Sequence, residues 1–217
     1  RVLEAHQAVT PNLRGVRHIT AFDGSPDVPR PRPFPEGLLG DAKFREGFAV
    51  LEKLGLSFDA YIYHPQLHEL TDLANAFPGV TIILNHVGGP LGVGPYAGKP
   101  DQIFEEWKDS MTAVAASPNV VVKVGGLVMP VCGFDWHERA MPTTSGSLAQ
   151  ATAPYYLHCI EQFGPNRCMF ESNFPVDKIA CSYTVLWNAF KRLTHDFSPS
   201  EQAALFHDTA TRVYRLS

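Results

Sequence analysis

TIILNHVGGP, residues 81–90, holds a short β-branched apolar run that breaks off at His86 and is followed at once by Gly88, Gly89 and Pro90. An uninterrupted run of this kind suits a parallel strand buried on both faces. A histidine at its carboxyl end stands where α/β proteins keep their ligands. The stretch therefore predicts a fold class and a site together.

The pattern repeats on both sides of it. β-rich runs flanked by turn residues predict strands at 15–22 (GVRHITAF), 56–63 (LSFDAYIY), 80–86, 119–124 (NVVVKV) and 168–174 (CMFESNF). Helical spacing fills the gaps. Asp41 can cap a helix carrying Phe44, Phe48, Leu51 and Leu54 that Gly55 stops. Leu67, Leu70, Ala74 and Phe77 repeat the spacing before Pro78, as do Phe104, Trp107, Met111 and Val114 before Pro118. Tyr156 to Phe163 and Tyr183 to Leu193 mark two more helices, and Ser198 with Glu201 forms a capping box that opens the last. Strands alternating with helices of this length imply right-handed crossovers and a parallel sheet.

Loop lengths give a separate argument. The helix-to-strand joints are short, while the strand-to-helix joints at 23–40 (five prolines), 88–100 and 125–146 are long. Elaborate loops on the carboxyl side of the strands are where a (β/α)-barrel builds its site. The proline-rich loop also suits a spacer between domains; strands on both sides of it favour a lid.

Composition narrows the partner. The 217 residues carry 18 Lys and Arg against 22 Asp and Glu, a formal charge of −4 with no basic stripe, so nucleic acid and an anionic membrane are not the expected partners. A small molecule is. No apolar stretch approaches the roughly 20 residues of a membrane span, and RVLEAHQAV at the amino terminus lacks the apolar core of a signal peptide. Cys132, Cys159, Cys168 and Cys181 form no CxxC pair, which suits reduced thiols in a cytoplasmic protein. The length fits one domain over 1–217.

Several segments carry a family resemblance. RGVRH (14–18), LSFDAYIYHPQL (56–67), ILNHVGGP (83–90), NVVVKVGGL (119–127), RCMFESNFPVDK (167–178) and HDTATRVYRL (207–216) resemble, in order, the strand ends and terminal helix of the amidohydrolase-2 group. These are TIM-barrel hydrolases and decarboxylases, including lactonases acting on sugar lactones and pyrone dicarboxylates. The resemblance implies a (β/α)8 barrel of which only about the last five βα units are present, so that the chain reads as a form lacking its amino-terminal third. It also implies a divalent metal, zinc before others. Two departures stand out. The group's first-strand signature, an acid followed by His-x-His, has no counterpart, since no H-x-H occurs. The acid that ends the group's last strand, in a Gly-Ser-Asp-Trp-Pro context, is Asn173 here, within Glu171-Ser172-Asn173-Phe174-Pro175. Asparagine is no general base and a poorer metal ligand than carboxylate.

Candidate site residues follow from position. His86 could ligate the metal or polarise a carbonyl, or be a hydrogen-bonded core histidine. Glu171 and Asp177 flank the last strand end and are the carboxylates able to replace the missing acid as base; a capping or surface role is the alternative. Arg17 and His18 end the first strand, where Arg17 could take a substrate carboxylate or pair with a buried acid such as Asp59. His64 could bind substrate or close a turn at Pro65. Lys123 needs a partner if it points inward. His137 could lean over the site from its loop or lie on the surface.

The expected function is hydrolysis of a lactone or similar cyclic ester of an anionic small molecule, with a decarboxylase on the same scaffold as the chemical alternative. A non-catalytic or partner-completed binding barrel is a third reading, favoured by Asn173 and the absent H-x-H. A barrel of five strands leaves the edge of its first strand unpaired, which predicts association, a homo-oligomer among the forms it can take.

Overall fold

The computed structural model describes residues 1–216. Five strands, β1 (Gly15–Ile19), β2 (Ser57–Tyr61), β3 (Ile82–Leu84), β4 (Val120–Val124) and β5 (Cys168–Phe170), form one sheet in the order β1-β2-β3-β4-β5. Every pair is parallel. Helices α1 (Val2–Val9), α2 (Ala42–Leu54), α3 (Leu67–Ala76), α4 (Pro100–Ala115), α5 (Ser145–Phe163) and α6 (Tyr183–Leu193) alternate with the strands. A short α7 (Pro199–Ala203) runs through a π turn into α8 (Thr209–Tyr214).

All five expected strands are present, and each is shorter than its apolar run. The residues just past each strand end, His86 and Glu171 among them, leave the ladder and enter turns. Helix α1 was not expected: VLEAHQAV buries none of its residues, so its sequence lacks the apolar stripe that marks the others. The stops and caps fall as read. Asp41 accepts from the Phe44 amide, Gly55 closes α2 in the left-handed region, and Ser198 with Glu201 forms a reciprocal capping box.

The two faces of the sheet differ in kind. On one face Phe58, Ala60, Ile82, Leu84, Val120, Val122, Val124, Cys168 and Phe170 join a continuous core with Phe48, Leu73, Trp107, Met111, Tyr156 and Phe190 of the helices. On the other, Ile83, Val121 and Met169 make a small apolar floor covered by Ala210, Val213 and Tyr214 of the carboxyl-terminal helix. The parallel register puts Arg17 beside Asp59, Asp59 beside Ile83 and Lys123 beside Met169 on that second face. The charged residues that interrupt the strands therefore all point to one side. Among the described residues β1 pairs with β2 alone and β5 with β4 alone, as expected for an open run of barrel units.

The proline-rich segment 23–40 is tied to the body and is not a spacer. Tyr63 Oη donates to Pro29 O (2.7 Å), Tyr96 Oη to Asp23 Oδ2 (2.6 Å), and the Gln66 side chain bridges Phe22 N and Thr20 O. The four cysteines are buried free thiols, and no described helix is long and apolar enough to cross a membrane.

Phe190 is fully buried, stacks on Phe170 at 4.3 Å and meets the edge of Trp187 at 5.5 Å. Phe190→Ala should cost about 3–5 kcal/mol, the usual penalty for emptying an aromatic core position, read as a lower midpoint in urea denaturation.

Candidate active site

Three side chains meet on the carboxyl side of the sheet, two from just past the ends of β3 and β5 and one from within β1. Glu171, one residue past β5, accepts from the His86 backbone N–H (3.0 Å) and lies 2.5 Å from His86 Nδ1 through the same oxygen, Oε1. Arg17 of β1 places Nη2 3.1 Å from His86 Nε2. A guanidinium only donates, so Nε2 carries the lone pair and Nδ1 carries the proton that goes to Glu171. The ring is 2% exposed and meets the Tyr61 ring edge-on at 4.9 Å. Burial alone would raise the Glu171 pKa. Hydrogen bonds from the His86 ring and backbone, with the Lys123 charge behind them, turn the shift downward and hold Glu171 as a carboxylate.

Two local features allow this meeting. His86 (φ 55°) and Val87 (φ 45°) are consecutive left-handed residues without being glycine, an arrangement costing about 1–3 kcal/mol per residue and rarest for a β-branched side chain. The buried Trp107 indole pins the turn by donating Nε1–H to Val87 O at 2.7 Å. Beyond β4 lie Gly125 and Gly126. A Cβ on Gly125 would stand 2.3 Å from Glu171 O and 2.6 Å from its Cγ; one on Gly126 would stand 2.8 Å from His86 Cβ and Nδ1. The glycine pair opens the space in which β3 and β5 reach each other over β4.

A second polar group lies on the same face. Asp59 Oδ1 accepts from Lys123 Nζ (2.8 Å), Tyr214 Oη (2.7 Å) and Asn85 Nδ2 (3.1 Å). Lys123 thus points inward and has its partner, and Asp59 is matched to it and not to Arg17. A cavity of about 420 Å3 lies beside this group, lined by Asn12, Leu13, Arg14, Gly15, Arg17, Asp59, Lys123 and Tyr214.

Asn173 and Asp177 form the third group. Asn173 sits at φ 50°, where asparagine is among the better-tolerated residues, and its Nδ2 donates to Asp177 Oδ1 at 2.7 Å. Asp177 is fully buried, and among the described residues its Oδ2 has no hydrogen-bond partner. Burial raises its pKa to about 7; the Asn173 bond opposes this and the Glu171 charge adds to it. An aspartate at 173 would set two carboxylates against each other here.

The remaining candidates lie elsewhere. His18 faces the helices, its ring 4.7 Å from Phe34 and 6.1 Å from Phe44, because the two-residue strand period turns it away from Arg17. His64 is buried in a 3-10 turn and accepts from Leu91 N (3.2 Å), and burial lowers its pKa to about 4, so it is neutral and holds the loop after β3. His137 is partly exposed beside Glu138 at 3.8 Å and touches none of the groups above. A metal at His86 does not fit this arrangement either. Both ring nitrogens are engaged, and among the described residues no group of three His, Cys, Asp or Glu converges. Tyr61, Asn85, Trp107, Gly125, Gly126 and Tyr214 were not singled out as site residues. The Gly-Gly directly after an apolar strand was the visible signal; Tyr214 gave none, since it arrives from the far end of the chain.

The family model described as Amidohydrolase (Amidohydro_2) matches residues 2–216. The chain belongs to that family. The uncharacterized protein y4mH of Sinorhizobium fredii is 41% identical over 213 residues, covering 94% of this amidohydrolase chain and 62% of its relative. An L-fucono-1,5-lactonase of Burkholderia multivorans is 27% identical over 205 residues, covering 94% and 63%. The chain thus spans under two thirds of the length of both. A Burkholderia multivorans amidohydrolase crystallised with HEPES superposes with a TM-score of 0.79 at 27% identity, over 99% of this chain and 70% of that one. A second crystal form holds zinc, with a TM-score of 0.79 at 26% identity, over 100% and 70%. The five βα units are those of an amidohydrolase TIM barrel.

Two outcomes are expected. Gly126→Ala, which sets a methyl group against the His86 ring, should separate His86 from Glu171, seen as loss of the downfield Nδ1 proton resonance in a chain that keeps its circular dichroism. Between about pH 4 and 7 the unfolded chain releases the Asp177 proton while the folded protein keeps it, so this group makes stability fall as pH rises through that window. Asp177→Asn should flatten the slope and be more stable than the parent at pH 8 by on the order of 2–4 kcal/mol, measured by urea denaturation across pH.

Proposed function

We propose that this chain carries the acid–base centre of a hydrolase that opens a lactone or related cyclic ester of an anionic small molecule. The observation behind it is the ordered contact Arg17 to His86 Nε2 and His86 Nδ1 to Glu171. A carboxylate that fixes the Nδ1–H tautomer leaves Nε2 as the basic nitrogen and stabilises the imidazolium formed when it takes a proton. The lactonase relative at 27% identity supports cyclic esters as the substrate class.

In this reading water attacks the lactone carbonyl carbon while its proton passes to His86 Nε2. A tetrahedral intermediate forms, and its developing oxyanion is drawn to the cationic Lys123. The ring carbon–oxygen bond then breaks, and the proton on Nε2 passes to the departing oxygen, so the products are a hydroxy acid and the neutral His86. Asp177, poised near pH 7 and held by Asn173, is a second acid in the same loop. The donor set does not make a zinc site by itself, and no step here runs through a metal.

The test is turnover of 1,4- and 1,5-lactones of six-carbon sugar acids, with and without a free carboxylate, by the natively expressed protein. His86→Ala should lower kcat by about 10²–10⁴-fold, the range of a positioned acid–base group, and Glu171→Gln should lower it with KM little changed. Binding of sugar acids without turnover of any lactone would overturn the hydrolytic reading. Sedimentation of the chain tests the self-association that the free edge of β1 favours; a stable monomer would count against it.

A further inference from the structure

The same nitrogen that the hydrolytic reading needs as a base is occupied in this structure. Arg17 Nη2 lies on His86 Nε2 at 3.1 Å, and a lone pair engaged by a guanidinium is closed to a water proton. We propose that Arg17 is a latch on His86 which the carboxylate of the substrate itself releases; the proposal rests on the reading above and deepens it by naming what the substrate must carry.

Three features argue for a releasable contact. First, Arg17 is exposed although it sits within a strand, because it faces the open side of the sheet and borders the cavity of about 420 Å3. Second, the two carboxylates on this face of the sheet are committed elsewhere. Asp59 takes Lys123, Tyr214 and Asn85, and Glu171 takes the His86 ring and backbone. Among the described residues Arg17 forms no ion pair, so its charge is met only by a neutral imidazole. Third, the energies are unequal. A carboxylate offers the guanidinium an opposite charge and two parallel hydrogen bonds where the imidazole offers one uncharged acceptor, so a carboxylate entering the cavity outcompetes Nε2 for the guanidinium.

Release would couple recognition to chemistry. Once Arg17 turns to the ligand, the Glu171 bond still holds the Nδ1–H tautomer, and Nε2 is left with a free lone pair facing the space Arg17 vacated. A lactone without a carboxylate leaves the latch shut. The site thereby discriminates through the state of its base as well as through binding.

The decisive variant is Arg17→Met, which keeps the apolar stem and removes every donor. It is assayed in the native protein on two lactones of the same ring, one carrying a free carboxylate and one not. On the carboxylate-bearing lactone kcat/KM should fall. On the neutral lactone kcat should rise about tenfold, the factor expected for freeing one hydrogen bond from a charged donor. An Arg17 that only binds substrate would leave kcat on the neutral lactone unchanged or lower it, and that result overturns the latch. A second readout needs no turnover: the ¹⁵N resonance of His86 Nε2 should move on adding succinate to the parent protein and move the same way in Arg17→Met without succinate. An Nε2 resonance that succinate does not move at any concentration also overturns it. If no lactone is turned over by either protein, the hydrolytic reading fails, and the succinate response alone decides the latch.

Discussion

The site depends on an approach between the ends of β3 and β5 that the strand between them has to permit. His86 and Glu171 flank β4, and they meet at 2.5 Å because β4 is followed by Gly125 and Gly126. Neighbouring strands stand about 4.8 Å apart, so two residues separated by a third strand must lean over its end to touch. Any side chain at either glycine would fill that space. The strained pair His86 and Val87 supplies the other half of the geometry, since a left-handed turn is what swings the ring off the strand axis and toward Arg17 and Glu171. That strain is held by the helix layer, through the Trp107 indole on Val87 O. Core and site are thereby linked: the residue that buries most volume in α4 also fixes the backbone that aims the histidine.

Electrostatic matching organises the rest. The open face of the sheet holds two cations and two carboxylates on or next to the strands, and they are not paired symmetrically. Lys123 neutralises Asp59, with Tyr214 and Asn85 completing the set of donors, and Glu171 is matched to His86. Arg17 is the cation left over, and its exposure keeps the cost of being unpaired small. A charged network that is saturated except for one donor is a natural receiver for an anion. The substitution at 173 belongs to the same logic. With Glu171 contributing the carboxylate at the end of the last strand, the neighbouring position carries an amide that donates to Asp177 and tolerates the left-handed backbone, where a further aspartate would add a third negative charge.

Much of the fold was legible because its signals are local. Apolar runs of β-branched residues, helical spacing, the Asp41 cap, the Gly55 stop and the Ser198–Glu201 box each act within a few residues, and all of them stand where the sequence put them. Long loops on one side of the sheet were readable for the same reason. Strand lengths were not, since the apolar run continues into turns whose backbone leaves the ladder, and α1 was missed because a helix without a buried face has no periodic signature. His86, Glu171, Arg17 and Lys123 could be chosen from their places at or near strand ends. His18 could not be separated from Arg17 by that rule, although the alternation of a strand already sends neighbours to opposite faces.

By itself, then, the sequence determined the class of the fold, the side of the sheet on which the polar residues gather and the histidine at the centre of them, because hydrophobic period and turn chemistry are properties of short stretches. Only the tertiary structure decided who partners whom. Arg17 and His86 are 69 residues apart, His86 and Glu171 85, and Asp59 and Tyr214 155. Contacts over such separations are fixed by sheet register and by which side chains are absent at the crossing point. That is why Arg17 rests on His86 and not on Asp59, and why the two glycines after β4 matter as much as the charged residues on either side of them.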